Sequence, residues 1–289
     1  MDKYFYSFRE MISLRGLTDH TLKSYCTYIH SYLDYLSNIL HKLPEDVTWD
    51  ETCVPISVGF KKNGIFPTAL LIMPFHSLRF FTMYVLHKPW DDTQLPMRKF
   101  NSYLPYVPPV SEVHSFLDTL PTLKQKAMVT LMYSSGLRVG EVCRLKYSDI
   151  QRSSMRIHVA QTKNRSDRYA LLSQKALDLL TRYWFEYDRP TDWLFPQNKI
   201  LLNIVRPVSS QRQVMGHRDK LALNPRLNCH SFRHAFATHL YENGADLFTI
   251  KELLGHKSLH STLIYLHLAS YTARKITSPF DLIGGDPYQ

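Results

Sequence analysis

Residues 228–240, NCHSFRHAFATHL, mix basic side chains with apolar ones. Four apolar positions recur at helical spacing and predict the face that packs on the core: Phe232, Ala235, Phe236 and Leu240. His230 and Arg233 are three residues apart, so an imidazole and a guanidinium are neighbours on an adjacent face. The pattern predicts a helix that packs through one face and binds an anion through the next.

His230 and His234 also stand at i and i+4, the spacing of the two histidines in a zinc-protease helix. In that motif a glutamate follows the first histidine and acts as general base, but here Ser231 occupies the position. No acidic residue lies within the segment. We therefore expect no metal and no other cofactor, with a zinc hydrolase as the alternative that loss of activity on chelation would support.

The elements that follow are short helices with recognisable ends. The helix through 230–242 is expected to end near Asn243, Asp246 is placed to cap LFTIKELL, and Gly255 is placed to end that second helix. Ser258 is placed to cap a last short helix that holds Tyr265. The capping residues therefore predict three helices in close succession.

Two earlier segments also carry cations. The helix LKQKAMVTLMYSS is expected to end at Gly136, which leaves Arg138 at a helix junction. Alternating apolar residues over 155–159 and the segment RYALLS predict two strands of a hairpin. Its predicted tip carries Lys163, Arg165 and Arg168. On these residues alone, a solvated turn explains the tip at least as well as a site does.

The first 97 residues are predicted to form a mainly helical domain. Thr18 or Asp19 is placed to cap a helix whose apolar and aromatic residues recur at helical spacing: Leu22, Tyr25, Ile29, Tyr32 and Leu36. A further helix is expected over 77–86, SLRFFTMYVL. The stretch 54–74 is apolar and interrupted by proline and glycine, so its pattern assigns no element.

The length of 289 residues and a change in composition predict two domains, 1–97 and 110–289, joined by a proline-containing linker at 98–109. The formal net charge is +10. Residues 1–100 carry 11 Lys and Arg against 10 Asp and Glu, whereas the rest of the chain carries 24 against 15. The basic later part indicates an anionic partner such as nucleic acid, although a solvated basic surface is the alternative.

The cysteine spacing and the N-terminal sequence bear on the cellular compartment of the protein. The four cysteines are scattered, without the paired spacing of a zinc site or the density of a disulfide scaffold. No stretch reaches the apolar length of a membrane span, and MDKYFYSFREM at the start lacks the apolar region of a signal peptide. We therefore expect a cytoplasmic protein that does not act at a membrane.

Four separated blocks resemble the signature motifs of the tyrosine recombinase superfamily, the phage-integrase and Xer-like site-specific recombinases. The blocks, in the family's order, are GLRVGEV at 136–142, HSFRHAFATHL at 230–240, LLGHKS at 253–258 and STLIYLH at 261–267. A weaker similarity links GLTDHTLKSYCTYIHSYL to the family's core-binding domain. The resemblance implies a mainly α fold: a helical, SAM-like core-binding domain followed by a mixed α/β catalytic domain with a small sheet or hairpin.

The resemblance also implies an activity, the cleavage and rejoining of DNA without metal or ATP. The implied catalytic residues are Arg138, Lys163, His230, Arg233, His256 and Tyr265. Tyr265 would attack a phosphodiester and form a 3′-phosphotyrosyl bond, which a 5′-hydroxyl can later reverse. Arg138 and Arg233 would hold the nonbridging oxygens, because paired guanidiniums suit the charge that accumulates at phosphorus.

The remaining roles come from the same resemblance. His230 would be the acid/base histidine, and His256 would supply a hydrogen bond. Lys163 would protonate the departing 5′-oxygen, and Glu141 would be the family's supporting carboxylate. The hairpin is poorer in glycine than the family's frequent form, so Arg165 or Arg168 is an alternative to Lys163.

Partners and assembly are implied in the same way. We expect a specific double-stranded DNA site and a homotetramer on two such sites, with a monomer or dimer off DNA. The chain has no room for the arm-binding domain of some phage integrases, which favours the two-domain, Xer-like architecture. The resemblance implies DNA recombination, and it leaves open integration or excision, transposition of a mobile element, and resolution of chromosome dimers. The alternatives are a type IB topoisomerase-like activity and a catalytically inactive DNA-binding relative.

Overall fold

The computed structural model describes residues 1–52, 72–93, 104–160, 167–197 and 205–269. The chain divides into two compact units, Met1–Ser102 and Tyr103–Gln289. The division falls inside the linker that the sequence predicts at 98–109. Within the described ranges, no helix has both the length and the apolar composition required to cross a membrane.

The first unit is helical in its described residues. Its helices are α1 (Asp2–Ser13), α2 (Asp19–Tyr35) and α3 (Ile72–Tyr84), with a π-helical turn at Leu36–Leu40 and a 3₁₀ turn at Pro44–Asp46. Thr18 caps α2 as predicted, because its hydroxyl accepts a hydrogen bond from the Thr21 N–H at 3.3 Å. The fully buried residues of this core include Phe8, Ile12, Ile29, Leu36 and Phe81.

The second unit combines helices with a small antiparallel sheet. Its elements are α4 (Val110–Asp118), α5 (Leu123–Ser134), α6 (Val139–Cys143), β1 (Ile150–Gln151), β2 (Arg156–Val159), β3 (Arg168–Leu171), α7 (Gln174–Glu186), α8 (Pro207–Lys220), α9 (Cys229–Glu242), α10 (Leu247–Leu254) and α11 (His260–Leu268). The strand order is β1-β2-β3, with Ile157 opposite Ile150 on one side and Ala170 on the other. This architecture confirms the predicted fold class, mainly α with a small sheet.

Helix α9 joins two apolar clusters of the second unit. Phe232 belongs to the larger cluster, which includes residues of α4, α5 and α7. Phe236, one turn later, belongs to a smaller cluster with Ala237, Tyr241, Ile250, Leu254 and Tyr265. Each fully buried phenylalanine contributes about 1.5–3 kcal/mol through burial. The apolar face predicted for this helix is therefore the face that holds the unit together.

Gly136 allows the segment before α6 to approach α9 and α10. Its φ is +63°, and a Cβ at this position would lie 2.4 Å from Cδ1 of Phe236 and 2.9 Å from a methyl of Leu254. Only glycine fits both the left-handed backbone and this contact. The predicted end of the preceding helix is thus also a close packing point.

The ends of the last two helices follow the predicted capping residues. Asp246 accepts hydrogen bonds from the N–H groups of Phe248 and Thr249 at 2.8 and 2.9 Å. Gly255 ends α10 in the left-handed conformation, with φ of +65°. Ser258 accepts from the His260 N–H at 3.2 Å, at the start of α11.

The hairpin prediction was wrong in one respect. Arg168 does not lie at the tip but is the first residue of β3, where its partner across the sheet is Val159. The period-two pattern puts Arg168 on the same face as Ala170, which is buried. Lys163 and Arg165 lie outside the described residues.

Candidate active site

Helix α6 begins at the first predicted arginine. The backbone of Arg138 is extended just before the helix, and its N–H donates to Oε2 of Glu141 at 2.8 Å. Its guanidinium donates from Nη1 to Oε1 of the same carboxylate at 2.8 Å. Glu141 therefore caps the helix and orients the Arg138 side chain at once.

Arg168 approaches the same carboxylate from the sheet. Its Nη1 and Nη2 donate to Oε1 and Oε2 of Glu141 at 3.0 and 2.9 Å, and its Nε donates to the Leu253 carbonyl at 3.0 Å. The planar guanidinium matches both carboxylate oxygens, which a lysine cannot do. The side chain is only 8% exposed.

Arg233 is buried on α9, with 5% of its side chain exposed. Its Nη1 donates to the Gly136 carbonyl, and its Nη2 donates to the Leu254 carbonyl at 2.7 Å. Leu254 is the last residue of α10, where carbonyls lack helical partners and carry partial negative charge. Burial lowers the pKa of Arg233 to about 9, and the charge of Arg138 acts in the same direction, so the guanidinium stays protonated at neutral pH.

The Glu141 carboxylate is shared by three arginines. Besides Arg138 and Arg168, Nη1 of Arg233 lies 3.7 Å from its Oε2. Burial of Glu141 opposes its ionisation, but the hydrogen bonds and charge of Arg168, the Arg138 N–H and the charge of Arg233 together lower its pKa to about 2. Three guanidiniums against one carboxylate leave a net charge of +2 at this point. Such a cluster suits a phosphodiester that gains negative charge.

His256 follows Gly255 and contacts the cluster through one ring nitrogen. Its Nε2 lies 3.4 Å from Nη2 of Arg233, and its Nδ1 lies 3.0 Å from the Thr262 hydroxyl. Because a guanidinium only donates, Nε2 is the acceptor and we assign the proton to Nδ1. The pKa of His256 is lowered to about 4, mainly by burial and further by the charges of Arg233 and Arg138. The ring is therefore neutral at pH 7.

Tyr265 lies on α11 with 1% of its surface exposed. Its ring stacks on that of His256, with centroids 6.4 Å apart and an interplanar angle of 11°, and it lies 5.8 Å from the ring of His234. Burial raises the pKa of the phenol, while the charges of Arg233 and Arg138 oppose the rise. A neutral phenol therefore lies within electrostatic reach of both predicted arginines.

The two histidines that stand at the zinc-protease spacing, His230 and His234, differ in their surroundings. His230 is exposed in the first turn of α9, where its N–H donates to the Asn228 side chain at 2.9 Å. His234 faces inward, and burial, then the charges of His230 and Arg233, lower its pKa to about 4. Its Nδ1 has no hydrogen-bond partner among the described residues. In the same ranges, no three His, Cys, Asp or Glu side chains lie together in a way that could hold a metal ion.

The structure brings most of the predicted site residues into one place. Arg138, Arg233, His256 and Tyr265 are linked by the contacts and charges described above. His230 lies at the exposed start of α9, where its charge acts on His234, and Lys163 lies outside the described residues. Sequence reasoning missed Arg168 as a partner of Glu141. The available signal was the strand alternation, which places Arg168 on the inward face.

Comparisons with known proteins agree with the motifs. Residues 109–271 match the phage integrase family. A putative integrase/recombinase, y4qK, of Sinorhizobium fredii is 40% identical over 208 residues, which are 72% of this chain and 67% of that protein. The tyrosine recombinase XerD of Staphylococcus epidermidis is 28% identical over 280 residues, covering 92% of this chain and 94% of that protein.

Solved structures share the fold at lower identity. A lambda integrase dimer bound to a COC′ core site superposes with a TM-score of 0.71 at 19% identity, covering 92% of this chain and 94% of that one. The XerH recombinase in a pre-cleavage complex with its difH substrate gives a TM-score of 0.67 at 21% identity, over 84% of this chain and 74% of that one. The predicted resemblance is thus confirmed, and this chain belongs to the phage integrase family of tyrosine recombinases.

Proposed function

We propose that this protein is a site-specific DNA recombinase that cleaves and rejoins double-stranded DNA through a covalent bond between Tyr265 and a 3′-phosphate. The observation that supports it most directly is the arrangement of Arg138 and Arg233 around Glu141, together with the effect of both positive charges on the pKa of the buried Tyr265 phenol. Negative charge accumulates on the phosphate oxygens in the phosphorane-like transition state. A buried site with this net positive charge therefore stabilises the transition state more than it stabilises the ground state, in which the phenol is neutral.

Cleavage exchanges one phosphate ester for another. The Tyr265 oxygen bonds to phosphorus, the bond from phosphorus to the 5′-oxygen breaks, and the phenolic proton leaves to a base. By the family resemblance, His230 handles the phenolic proton and Lys163 protonates the 5′-oxygen. Because the phosphotyrosine keeps the ester, a 5′-hydroxyl from another strand reverses the step without metal or ATP.

The other site residues act on the phosphate oxygens. Arg138 and Arg233 hold the two nonbridging oxygens, and Arg233 stays charged at neutral pH because its pKa is about 9. His256 is neutral and carries one ring proton. With phosphate bound, a shift of that proton from Nδ1 to Nε2 turns the ring into a donor towards the oxygen nearest Arg233.

The domain roles and the assembly belong to the same proposal. Residues 1–97 bind the DNA core site, 98–109 act as linker, and 110–289 carry the chemistry. Four copies act on two DNA sites, and the free protein is a monomer or dimer. We place the recombination reaction in the cytoplasm, together with its DNA substrate.

A covalent adduct tests the proposal. Nicked duplexes from the flanking genomic DNA are incubated with the protein, separated on denaturing gels, and the attached peptide is mapped. We expect wild-type protein to give a band of the covalent protein–DNA adduct. Tyr265→Phe should give no such band, while its DNA binding stays nearly unchanged. Tyr241→Phe is the matched control, since Tyr241 is a buried tyrosine of the same apolar cluster, and its adduct should form normally.

Other outcomes identify the alternatives. Relaxation of a plasmid without any recombination site would indicate type IB topoisomerase-like activity. Activity that disappears with a chelator would indicate a zinc hydrolase. DNA binding with no adduct on any site tested would indicate a catalytically inactive relative.

A further inference from the structure

We propose that Arg168 is a positioning residue for DNA cleavage, one that neutralises the Glu141 carboxylate so that the positive charge of Arg138 and Arg233 remains available to the phosphate. The inference rests on the proposed function, because it concerns the same site. It assigns Arg168 a part that differs from the hairpin cation for which the sequence made it a candidate.

The contacts of Arg168 leave it little capacity to bind DNA. Its Nε, Nη1 and Nη2 each donate to a protein acceptor, which are the Leu253 carbonyl and the two oxygens of Glu141. Its side chain is almost fully buried. Because all three of its nitrogens bond to the protein and its side chain is shielded from solvent, Arg168 is placed to hold other site residues in position and not to contact DNA.

The Glu141 carboxylate creates the need for such a residue. It is ionised, it accepts a hydrogen bond from Nη1 of Arg138, and it lies 3.7 Å from Nη1 of Arg233, so on its own it would offset the charge of these two arginines. Arg168 takes one bond to each carboxylate oxygen. It thereby neutralises Glu141 and restores the net charge that faces the phosphate.

Gly255 provides the space that Arg168 needs. A Cβ on Gly255 would lie 2.6 Å from Cδ of Arg168, so the arginine stem passes directly against the glycine that ends α10. The next residue is His256, which contacts Arg233. Arg168 is thus fitted between the sheet and the residues that surround Arg233.

The test compares cleavage rates on nicked duplexes at saturating DNA. We expect Arg168→Ala and Arg168→Lys each to lower the rate by about 100-fold, the typical cost of a small misplacement of reacting groups, with DNA affinity within about threefold of wild type. Lysine keeps the charge but cannot bond both carboxylate oxygens. Arg152→Ala is the control, because Arg152 is an exposed arginine that contacts Thr181 and, within the described ranges, no carboxylate, and its rate should match wild type.

Coupling to Glu141 distinguishes positioning from a general structural role. Adding Arg168→Ala to Glu141→Gln should cause no further loss of rate, because the carboxylate through which Arg168 acts is gone. This comparison also serves if Arg168→Ala alone does not fold, since the double variant leaves no buried unpaired carboxylate. A second substrate with a methyl group in place of one nonbridging oxygen should shrink the difference between wild type and Arg168→Lys, because less charge needs stabilising.

The outcomes distinguish failure of the proposed function from failure of the inference about Arg168. If wild-type protein forms no adduct, the proposed function fails. If wild-type protein forms the adduct and Arg168→Lys cleaves within about threefold of it, or the losses in the double variant multiply, the inference about Arg168 is overturned while the proposed function stands.

Discussion

The arginine cluster and the apolar cluster that carries Tyr265 are neighbouring halves of one site with different physical construction. Arg138, Arg168 and Arg233 are held by directional hydrogen bonds to one carboxylate and to backbone carbonyls. Tyr265 is held by the burial of its ring within a small apolar cluster. Directional bonds fix positions tightly, whereas apolar packing tolerates adjustment.

The difference indicates a division of labour. The charged half is preorganised before DNA binds, because its side chains are already at hydrogen-bonding distance from fixed partners. The tyrosine half depends on a cluster much smaller than the main core of the unit. Substitutions in the charged half should therefore affect chemistry and electrostatic stability, and those in the apolar half should affect packing.

The largest expected effect comes from the paired arginines. Arg138→Ala and Arg233→Ala should each reduce the cleavage rate by up to about 1000-fold, as loss of a transition-state donor does elsewhere. If they act as one unit on the phosphate, the double variant loses less than the product of the two. Single-turnover adduct formation measures this, and a multiplicative loss would contradict a shared role.

The next effect is on stability. Glu141→Ala leaves three buried or partly buried guanidiniums without their carboxylate, which should cost about 3 kcal/mol in the free energy of unfolding. Asp118→Ala is the control, because it removes an ion pair with Lys126 that is mostly exposed and worth about 1 kcal/mol or less. Urea unfolding measures the loss in the free energy of unfolding for both variants. Equal losses would show that the buried carboxylate stabilises the protein no more than an exposed one does.

A smaller effect is expected where the two halves touch. Gly136→Ala should cost about 2 kcal/mol, from the left-handed backbone and from the collision with Phe236. Gly244→Ala is the control, because its φ is also positive, at +93°, but no atom lies within 4 Å of the added Cβ. Thermal unfolding should show the larger loss for Gly136→Ala, and the reverse order would contradict the close packing.

A further effect concerns pH. The pKa of His256 and that of His234 are lowered to about 4, so both rings stay neutral in the folded protein while the unfolded chain takes up protons below the ordinary value of 6.5. Stability should therefore fall as the pH drops from about 6.5 to 4. Melting temperatures at pH 7 and pH 5 measure the fall, and His256→Gln should reduce it. An unchanged fall would mean that His256 is not held neutral by its surroundings.

Sequence patterns predicted those features that depend on neighbouring residues. Thr18 and Asp246 cap their helices, and Gly136 and Gly255 take the left-handed conformation, because caps and turns depend on local backbone chemistry. The mainly α fold class and the family were also predicted. The short strand β1 and the helices α7 and α8 were not predicted. Strand β1 has only two residues, and the buried residues of α8 include the polar Ser210 and Arg218. Helix α7 does carry a local signal, because Ser173 caps it and its apolar residues lie on one face.

The site shows the same limit. The motif blocks predicted Arg138, Arg233, His256 and Tyr265, which lie together, although their roles stay predictions. Strand alternation indicates that Arg168 faces inward, but it does not identify Glu141, 27 positions earlier, as the partner, because that pairing depends on tertiary packing. The central charge balance of the site is therefore a product of tertiary structure.

A crystal structure with nicked DNA and orthovanadate would show which side chain attacks phosphorus, because vanadate adopts the geometry of phosphorus during the transfer. We expect vanadium bonded to the Tyr265 oxygen, with the guanidiniums of Arg138 and Arg233 on its equatorial oxygens. Vanadium bonded to a different side chain, or bonded to Tyr265 with neither guanidinium on its oxygens, would contradict this expectation.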